Sequence, residues 1–522
     1  MNTKDSFVKQ AAILAAATLF ARLIGFLYRL PLTELIGDAG NALYGVGFQF
    51  YLFLLVLSSA GLPNTVSKMV SERLARGQYR NAQAVFSAAM GVAVVFGLAG
   101  SLILWGAAGF LAVLFGFPGS VYAIRAVAPA VFIVAVMAVL RGYFQGMNNS
   151  VPTAVSQVVE QFFNAAFKIF LAFIFIDNIE MAAAGATAAT GIGAVLGLAV
   201  LLWIYKRVSR RVKRRIARDK NWETEKPRAL VKEVLRTAFP IIMGTAIYSI
   251  ANFIDMAMVS HRMWASGAFS QLEIDVLYGQ LTGKFVVMTT LPVSVSTALA
   301  IAVLPSIAGS TVTQDHDAVL GKIGKALRMS ALISIPAAVG LGVMAEPLLA
   351  LLFPNHPEGA VLLQVGAVSV VFLSLVQVAT GALQGMGRIM VPVAAAAAGA
   401  LVKIPLNYIL IAQPEINVLG AVISTVACYF VASVINLGYM KWYTGIRYDC
   451  VGVFVKPAGA AAVMGLGCFV FYSVLMEIGL GNAIAVLGAV GVGVVIYFLT
   501  LAMMGGLKKE DVVRIPGLRR VV

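Results

Sequence analysis

Two arginines, Arg22 and Arg29, stand seven residues apart in the stretch ARLIGFLYRLPL, inside what otherwise reads as a long apolar helix near the start of the chain. Seven residues make two helical turns, so both side chains share one face. An ionisable group in hydrocarbon costs about 2.5–3.5 kcal/mol on insertion scales, so that face must meet a cavity, a partner or an interface. A second set lies near the middle of the chain: Asn252, Asp255 and Arg262 fall on one face of another apolar run, and Lys284 lies in the next. Cations outnumber acids in this group. Planar guanidinium forks suit phosphate oxygens, so the implied chemistry is anion binding, and a pyrophosphate fits several dispersed cations better than a carboxylate does. Asp255 is open to other uses: an internal pair with Arg22 or Lys284, or a site for sodium or a proton as coupling ion. For Arg29 the alternatives are reaching toward a headgroup or pairing with Glu34.

Further charges fall within apolar runs at Arg125, Glu160, Lys168, Glu346 and Lys403. Glu160 and Lys168, eight apart on one face, predict structural ion pairing, and Lys403 occupies the corresponding segment of the second half. No catalytic constellation accompanies them. His261, His316 and His356 are scattered, and GQLTGKF at Gly279 lacks both the glycine spacing and the following Ser/Thr of a phosphate loop. Cys428, Cys450 and Cys468 have no metal-ligand spacing. No cofactor is expected, and transport would be driven by Na+, H+, the membrane potential, a partner or the substrate's own gradient. A membrane-embedded glycosyltransferase or polymerase, the enzyme alternative, calls for clustered acids or a large catalytic loop, and the sequence has neither.

The elements that must position these residues are membrane spans. Of 522 residues, 60% are hydrophobic and 12% charged, with mean hydropathy +0.90, which excludes a soluble globule with an ordinary polar surface. Fourteen apolar runs are long enough to cross about 30 Å of hydrocarbon, near residues 9–36, 43–70, 82–113, 120–146, 152–177, 181–207, 231–259, 276–304, 324–353, 360–386, 391–412, 417–443, 453–476 and 482–505. Basic residues crowd alternate loops, among them the run KRVSRRVKRRIARDK from Lys206, while acids such as Asp38, Glu180 and Glu415 hold the others. The positive-inside rule then places both termini in the cytoplasm. The formal charge of +16 reads as topology plus attraction to anionic lipid headgroups, and not as nucleic-acid binding. The interrupted first run has no small-residue cleavage site, which favours a retained helix over a signal peptide.

Self-similarity organises the spans. FVKQAAILAA from Phe7 resembles LVKEVLRTAF from Leu230, LYG at Leu43 recurs at Leu277, and QGM at Gln145 with VP at Val151 recurs at Gln384 with VP at Val391. Two parallel six-helix repeats follow, related by an axis along the membrane normal. The expected organisation is an N-lobe over 1–205, a basic cytoplasmic linker over 206–229, a C-lobe over 230–445, and two further helices with a cytoplasmic tail over 446–522. Such repeats meet at a central cavity, which predicts a transporter.

TLFARLIGFLYRLPLTELIG, the segment ending SSAGLPNTVSKMVSERLARG, the two QGM segments and VLPSIAGS at Val303 resemble the multidrug/oligosaccharidyl-lipid/polysaccharide (MOP) exporter superfamily. Within it the chain is similar to the branch containing the stage V sporulation protein B group and the murein lipid II flippases. The resemblance implies an all-α polytopic protein of fourteen transmembrane helices, with two six-helix lobes in a V-shaped arrangement like that of MATE transporters, plus two C-terminal helices. Its central cavity, lined by spans one, two, seven and eight, would alternate between the two sides of the bacterial cytoplasmic membrane. The implied activity is flipping of an undecaprenyl-pyrophosphate-linked saccharide, first of all lipid II, in cell-wall synthesis or sporulation. The partners implied are that lipid-linked oligosaccharide, membrane lipids and cell-wall synthesis proteins. In the flippase pattern of Ser-Arg, Gly-Phe and a second Arg, Ala21 replaces the Ser, Arg22, Gly25 and Phe26 match, and Tyr28 stands where the second Arg is expected, with Arg29 next. Lys284 stands a few residues from the family's span-eight cation, and the last two spans suit a groove for the polyprenyl tail. Arg22, Arg29 and Lys284 would hold pyrophosphate, with Asn252, Asp255 and Arg262 adding polar contacts or ion coupling. The alternatives are another lipid-linked polysaccharide precursor and a drug or cation antiporter using Asp255.

Overall fold

Hydrocarbon offers no water to a backbone amide, so each apolar run must pair its own N–H and C=O groups, which a helix does within one segment. The computed structural model describes residues 17–18, 20–21, 23–56, 61–217 and 225–506, all helical or in short connections. The elements are α1 Arg29–Leu55, α2 Leu62–Ala75, α3 Tyr79–Leu114, α4 Val121–Gly146, α5 Val151–Ile174, α6 Ile179–Ala217 and α7 Pro227–Ala265. α8, Gln271–Gly279, runs through a π-helical turn at Gln280–Phe285 into α9, Val286–Val312. Then come α10 His316–Val343, α11 Ala345–Leu352, α12 Ala360–Gly366, α13 Ser369–Gly385, α14 Met390–Leu410, α15 Leu419–Thr444, α16 Lys456–Glu477 and α17 Asn482–Met503.

Among the described residues ten helices are long and apolar enough to cross a membrane, or eleven if the bent pair α12 and α13 forms one span. Fourteen spans are expected from sequence. The other three are the first, second and seventh, the runs that carry most of the candidate polar residues. The first lies partly outside the described residues; α1 with α2, and α7, stand where the other two are expected.

α1 departs from the expected boundaries. In place of a loop over 37–42, a single residue, Gly37, turns the chain at φ 64°, ψ −176°, a conformation that a Cβ disfavours. The Asn41 side chain donates to the carbonyl of Gly37 at 3.0 Å and so satisfies an acceptor that the kink removes from the helix ladder. The turn brings Tyr28 beside Tyr44, their hydroxyl oxygens 3.4 Å apart.

α6 continues to Ala217, and Pro227 opens α7 in its first turn, where its missing N–H costs nothing. Arg73, at the end of α2, clamps the far end of the basic segment: its guanidinium meets the Glu225 carboxylate at 2.6 and 2.8 Å and Glu233 at 2.9 Å.

The chain packs as two compact units, Met1–Gly283 and Lys284–Val522. In the first, α4 lies at the centre, against α1, α2, α3 and α6; α7, which the repeat pattern assigns to the second lobe, packs on α2, α3 and α8 of this unit. In the second, α13 packs on α9, α10 and α15, and the terminal pair α16 and α17 is seated on α10 through Ala331, Ile335, Ala460 and Met464.

The repeated QGM segments share one local structure. Each closes a helix, α4 or α13, and is followed by a residue at positive φ, Asn148 or Gly387, before the next helix starts. Each closes a ridge of glycines against a neighbouring backbone: a Cβ on Gly142 would lie 2.6 Å from the Pro63 oxygen, and one on Gly381 2.6 Å from the Ala300 oxygen. Gly142→Leu is expected to lower thermal stability in detergent by about 1–3 kcal/mol, the cost of overpacking. Gly91→Leu, where nothing lies within 4 Å, should not. Equal melting of the two variants, followed by intrinsic fluorescence, would contradict the close contact.

Candidate functional site

α5 inverts the amphipathicity of a soluble helix. Phe162, Phe170 and Phe173 face outward, whereas Ser156, Glu160, Asn164 and Lys168 form a buried polar stripe at every fourth residue. Helical spacing puts these on one face. α14 repeats the design with Gly399, Lys403 and Asn407 buried in a row, and the hydroxyl of Ser424 on α15 donates to Asn407 Oδ1.

Lys168 is fully buried. Its Nζ donates to Tyr28 Oη at 3.0 Å and Tyr44 Oη at 2.8 Å, and lies 4.5, 5.1 and 5.1 Å from the ring centroids of Tyr28, Tyr44 and Phe48. Ring faces carry partial negative charge, so the cage stabilises an ammonium without a carboxylate. The Arg29 guanidinium carbon lies 5.8 Å from the centroid of the same Phe48 ring. Arg29 is half-buried, so it is the more accessible of the two cations. Leu32, Ile36, Leu43 and three alanines of α6 close the apolar wall around the tyrosines. Among the described residues neither Lys168 nor Arg29 forms an ion pair with an acid. The arrangement can therefore hold an anion.

The expected pairing of Glu160 with Lys168 is replaced by another. Eight residues span about 12 Å along a helix axis, too far for a direct bond. Glu160 instead accepts from Arg141 Nη2 at 2.7 Å, while Arg141 Nε donates to Ser156 Oγ at 3.1 Å. A carboxylate on α5 and a guanidinium on α4 thus neutralise each other inside the first unit.

The other expected residues are dispersed. Arg22 lies outside the described residues. Asn252 is exposed and Asp255 and Arg262 are half-buried on α7, with Asp255 an electrostatic neighbour of Tyr278. Phe253 fixes this part of α7 against α1, its ring 5.2 and 5.1 Å from those of Phe50 and Phe53. Ser260 Oγ donates to the Gly116 carbonyl at 2.8 Å, and His261 Nε2 lies 2.7 Å from the Leu114 oxygen. Lys284 belongs to the second unit and is buried there. Its Nζ donates to the Glu358 carbonyl at 3.0 Å, and the Glu358 carboxylate stands 4.0 Å away. Arg29 is thus brought together with Lys168, Tyr28 and Tyr44, a set in which the sequence signal was the polar stripe on an otherwise phenylalanine-rich helix.

A family model described as polysaccharide biosynthesis protein matches residues 7–311, more than half of the chain. The chain belongs to this family. The MatE model matches residues 240–409 as well. The lipid II flippase MurJ of Bacillus subtilis (strain 168) is 28% identical over 97% of both chains, and stage V sporulation protein B of the same organism is 26% identical over 99% of both. Among solved structures, an inward closed conformation of lipid II flippase MurJ superposes with TM-score 0.70 at 16% identity, covering 94% of this chain and 98% of that one. An inward-facing MATE multidrug resistance transporter gives 0.69 at 17% identity, covering 81% and 94%. The family member described here is therefore a multi-pass membrane transporter of the MOP superfamily, helical throughout its described elements, and the MurJ and MATE relatives are a flippase and transporters, not enzymes.

Arg141→Met leaves Glu160 as an unpaired buried carboxylate, and should destabilise the first unit by about 3–5 kcal/mol. The double variant Arg141→Met with Glu160→Gln should regain most of that loss in thermal unfolding. A double variant no more stable than the single one would contradict the pairing.

Proposed function

We propose that this transporter is a flippase that moves an undecaprenyl-pyrophosphate-linked saccharide, with lipid II as its first substrate, from the inner to the outer leaflet by alternating access. The observation that carries the reading is the pair Arg29 and Lys168: two cations beside one Phe48 ring, with tyrosine hydroxyls and, among the described residues, no acid as partners. Such a pair in a low-dielectric setting favours an anionic ligand. The near full-length similarity to a protein named lipid II flippase supports lipid II over other anions.

In this reading Arg22, Arg29 and Lys284 hold the pyrophosphate. Asn252, Asp255 and Arg262 supply polar contacts or couple an ion. The lobes are those of the sequence repeats, 1–205 and 230–445, joined through 206–229, with 446–522 beside the lipid tail. Both termini face the cytoplasm, and cell-wall synthesis proteins are the partners. A second reading, a drug antiporter using Asp255, is favoured by the MatE match over residues 240–409 and by the partial accessibility of that carboxylate.

Expression in a bacterium depleted of its lipid II flippase tests both. The wild-type chain should restore lipid II in the outer leaflet, and Arg22→Ala, Arg29→Ala or Lys284→Ala at equal expression should lower that rate at least tenfold. Variants that flip like wild type would remove these residues from the site. Failure of the wild type to rescue would exclude lipid II, and drug efflux abolished by Asp255→Asn would establish the antiporter.

A further inference from the structure

We propose that Arg125 and Trp105 bind the phosphate of an anionic glycerophospholipid on the lipid-facing seam between α3 and α4. The site is separate from the cluster around Lys168 and does not depend on what the protein transports.

Arg125 stands four residues, about 6 Å, inside the start of α4. It is exposed, and among the described residues no acid pairs with it. Its guanidinium carbon lies over the ring of Trp105, 5.5 Å from the centroid, and that ring is itself 56% exposed. A ring beneath the face of a guanidinium attracts the charge but leaves the N–H groups, which lie in the guanidinium plane, pointing to the sides. Phosphate oxygens accept from such a fork in pairs. The tryptophan therefore holds the cation in place without using its donors.

The surface around the pair suits a lipid. Leu102, Ile103 and Phe110 of α3 and Tyr122 of α4 are exposed. Gly109 follows Trp105 by one turn on the same face, and a Cβ there would meet nothing within 4 Å, so bare backbone leaves a notch beside the ring. The notch takes the glycerol, and the apolar side chains take the acyl tails. Topology does not account for the cation. Arg207 lies 3.7 Å from the Trp203 centroid in the basic run, where the positive-inside rule calls for cations. Arg125 belongs to the opposite end: α3 starts next to the basic residues Arg76 and Arg80 in the sequence, and α4 starts after its far end, where Glu180 lies beside Gly119. Glu180 is not an ion-pair partner of Arg125. A guanidinium among hydrocarbon is costly without a counter-ion, and a lipid phosphate supplies one. With no carboxylate sharing the charge, a headgroup of net negative charge neutralises it, whereas a zwitterionic headgroup brings a second cation.

Photolabelling of the purified full chain tests the site. The probe is phosphatidylglycerol with a diazirine next to its headgroup, and the labelled peptides are mapped by mass spectrometry. Label is expected within residues 102–129. It should fall about tenfold in Arg125→Leu, which removes the charge-assisted bonds from a lipid-facing position. Gly109→Leu, which fills the notch and keeps the arginine, should lower it as well, so the site stays testable even if Arg125→Leu does not fold. Excess unlabelled phosphatidylglycerol should displace the probe, and phosphatidylcholine should not. Label only elsewhere, or labelling that neither variant reduces, overturns the site. Equal displacement by phosphatidylcholine overturns the assignment to an anionic headgroup. Displacement by a prenyl diphosphate-linked sugar ahead of phosphatidylglycerol overturns the phospholipid as occupant in favour of a diphosphate lipid.

Discussion

A charged side chain within a membrane span has to find its answer inside the protein, because neither lipid nor the protein interior supplies the hydration it gives up. Among the described residues three such charges show different answers. Arg141 takes a carboxylate, Glu160; Lys284 takes a backbone carbonyl at Glu358; Lys168 takes two phenols and three aromatic faces. Arg141 and Lys284 each have a carboxylate within reach, whereas Lys168 has none among the described residues, and α1, α5 and α6 close the apolar wall around its cage.

Sealing it depends on helix approach, and apolar burial alone drives little association between helices already surrounded by hydrocarbon. The glycine ridges on α4 and α13 supply the alternative. Without side chains they let a neighbouring backbone come close enough for dispersion contacts to accumulate, and they do so at matching positions in both halves. The outer faces need no such refinement, and there phenylalanines and leucines stand exposed in large numbers. Chemistry and packing are therefore concentrated on the inward faces, with lipid contact left to the rest.

The sequence revealed the spans, the repeats and the presence of costly charges, since each depends on local composition. It did not reveal partners. Lys168 meets tyrosines 140 and 124 residues away, and Lys284 meets a carbonyl 74 residues away that any residue type would provide. Glu160 and Lys168 share a face but not a turn, so periodicity suggested a bond that axial distance forbids. The expected loop after span one vanished for a related reason: one glycine at positive φ does the work of six residues, and spacing alone cannot distinguish a kink from a loop.

That kink has mechanical consequences. A turn of one residue, tied by the Asn41 side chain, has almost no slack, so the two arms of the hairpin move as a single piece. Arg29 and Tyr28 ride on one arm, Tyr44 and Phe48 on the other, and Lys168 bridges both. Because Lys168 belongs to α5, the cage stays whole only while the hairpin and α5 keep their places, so the single glycine turn and the lysine hold each other in register.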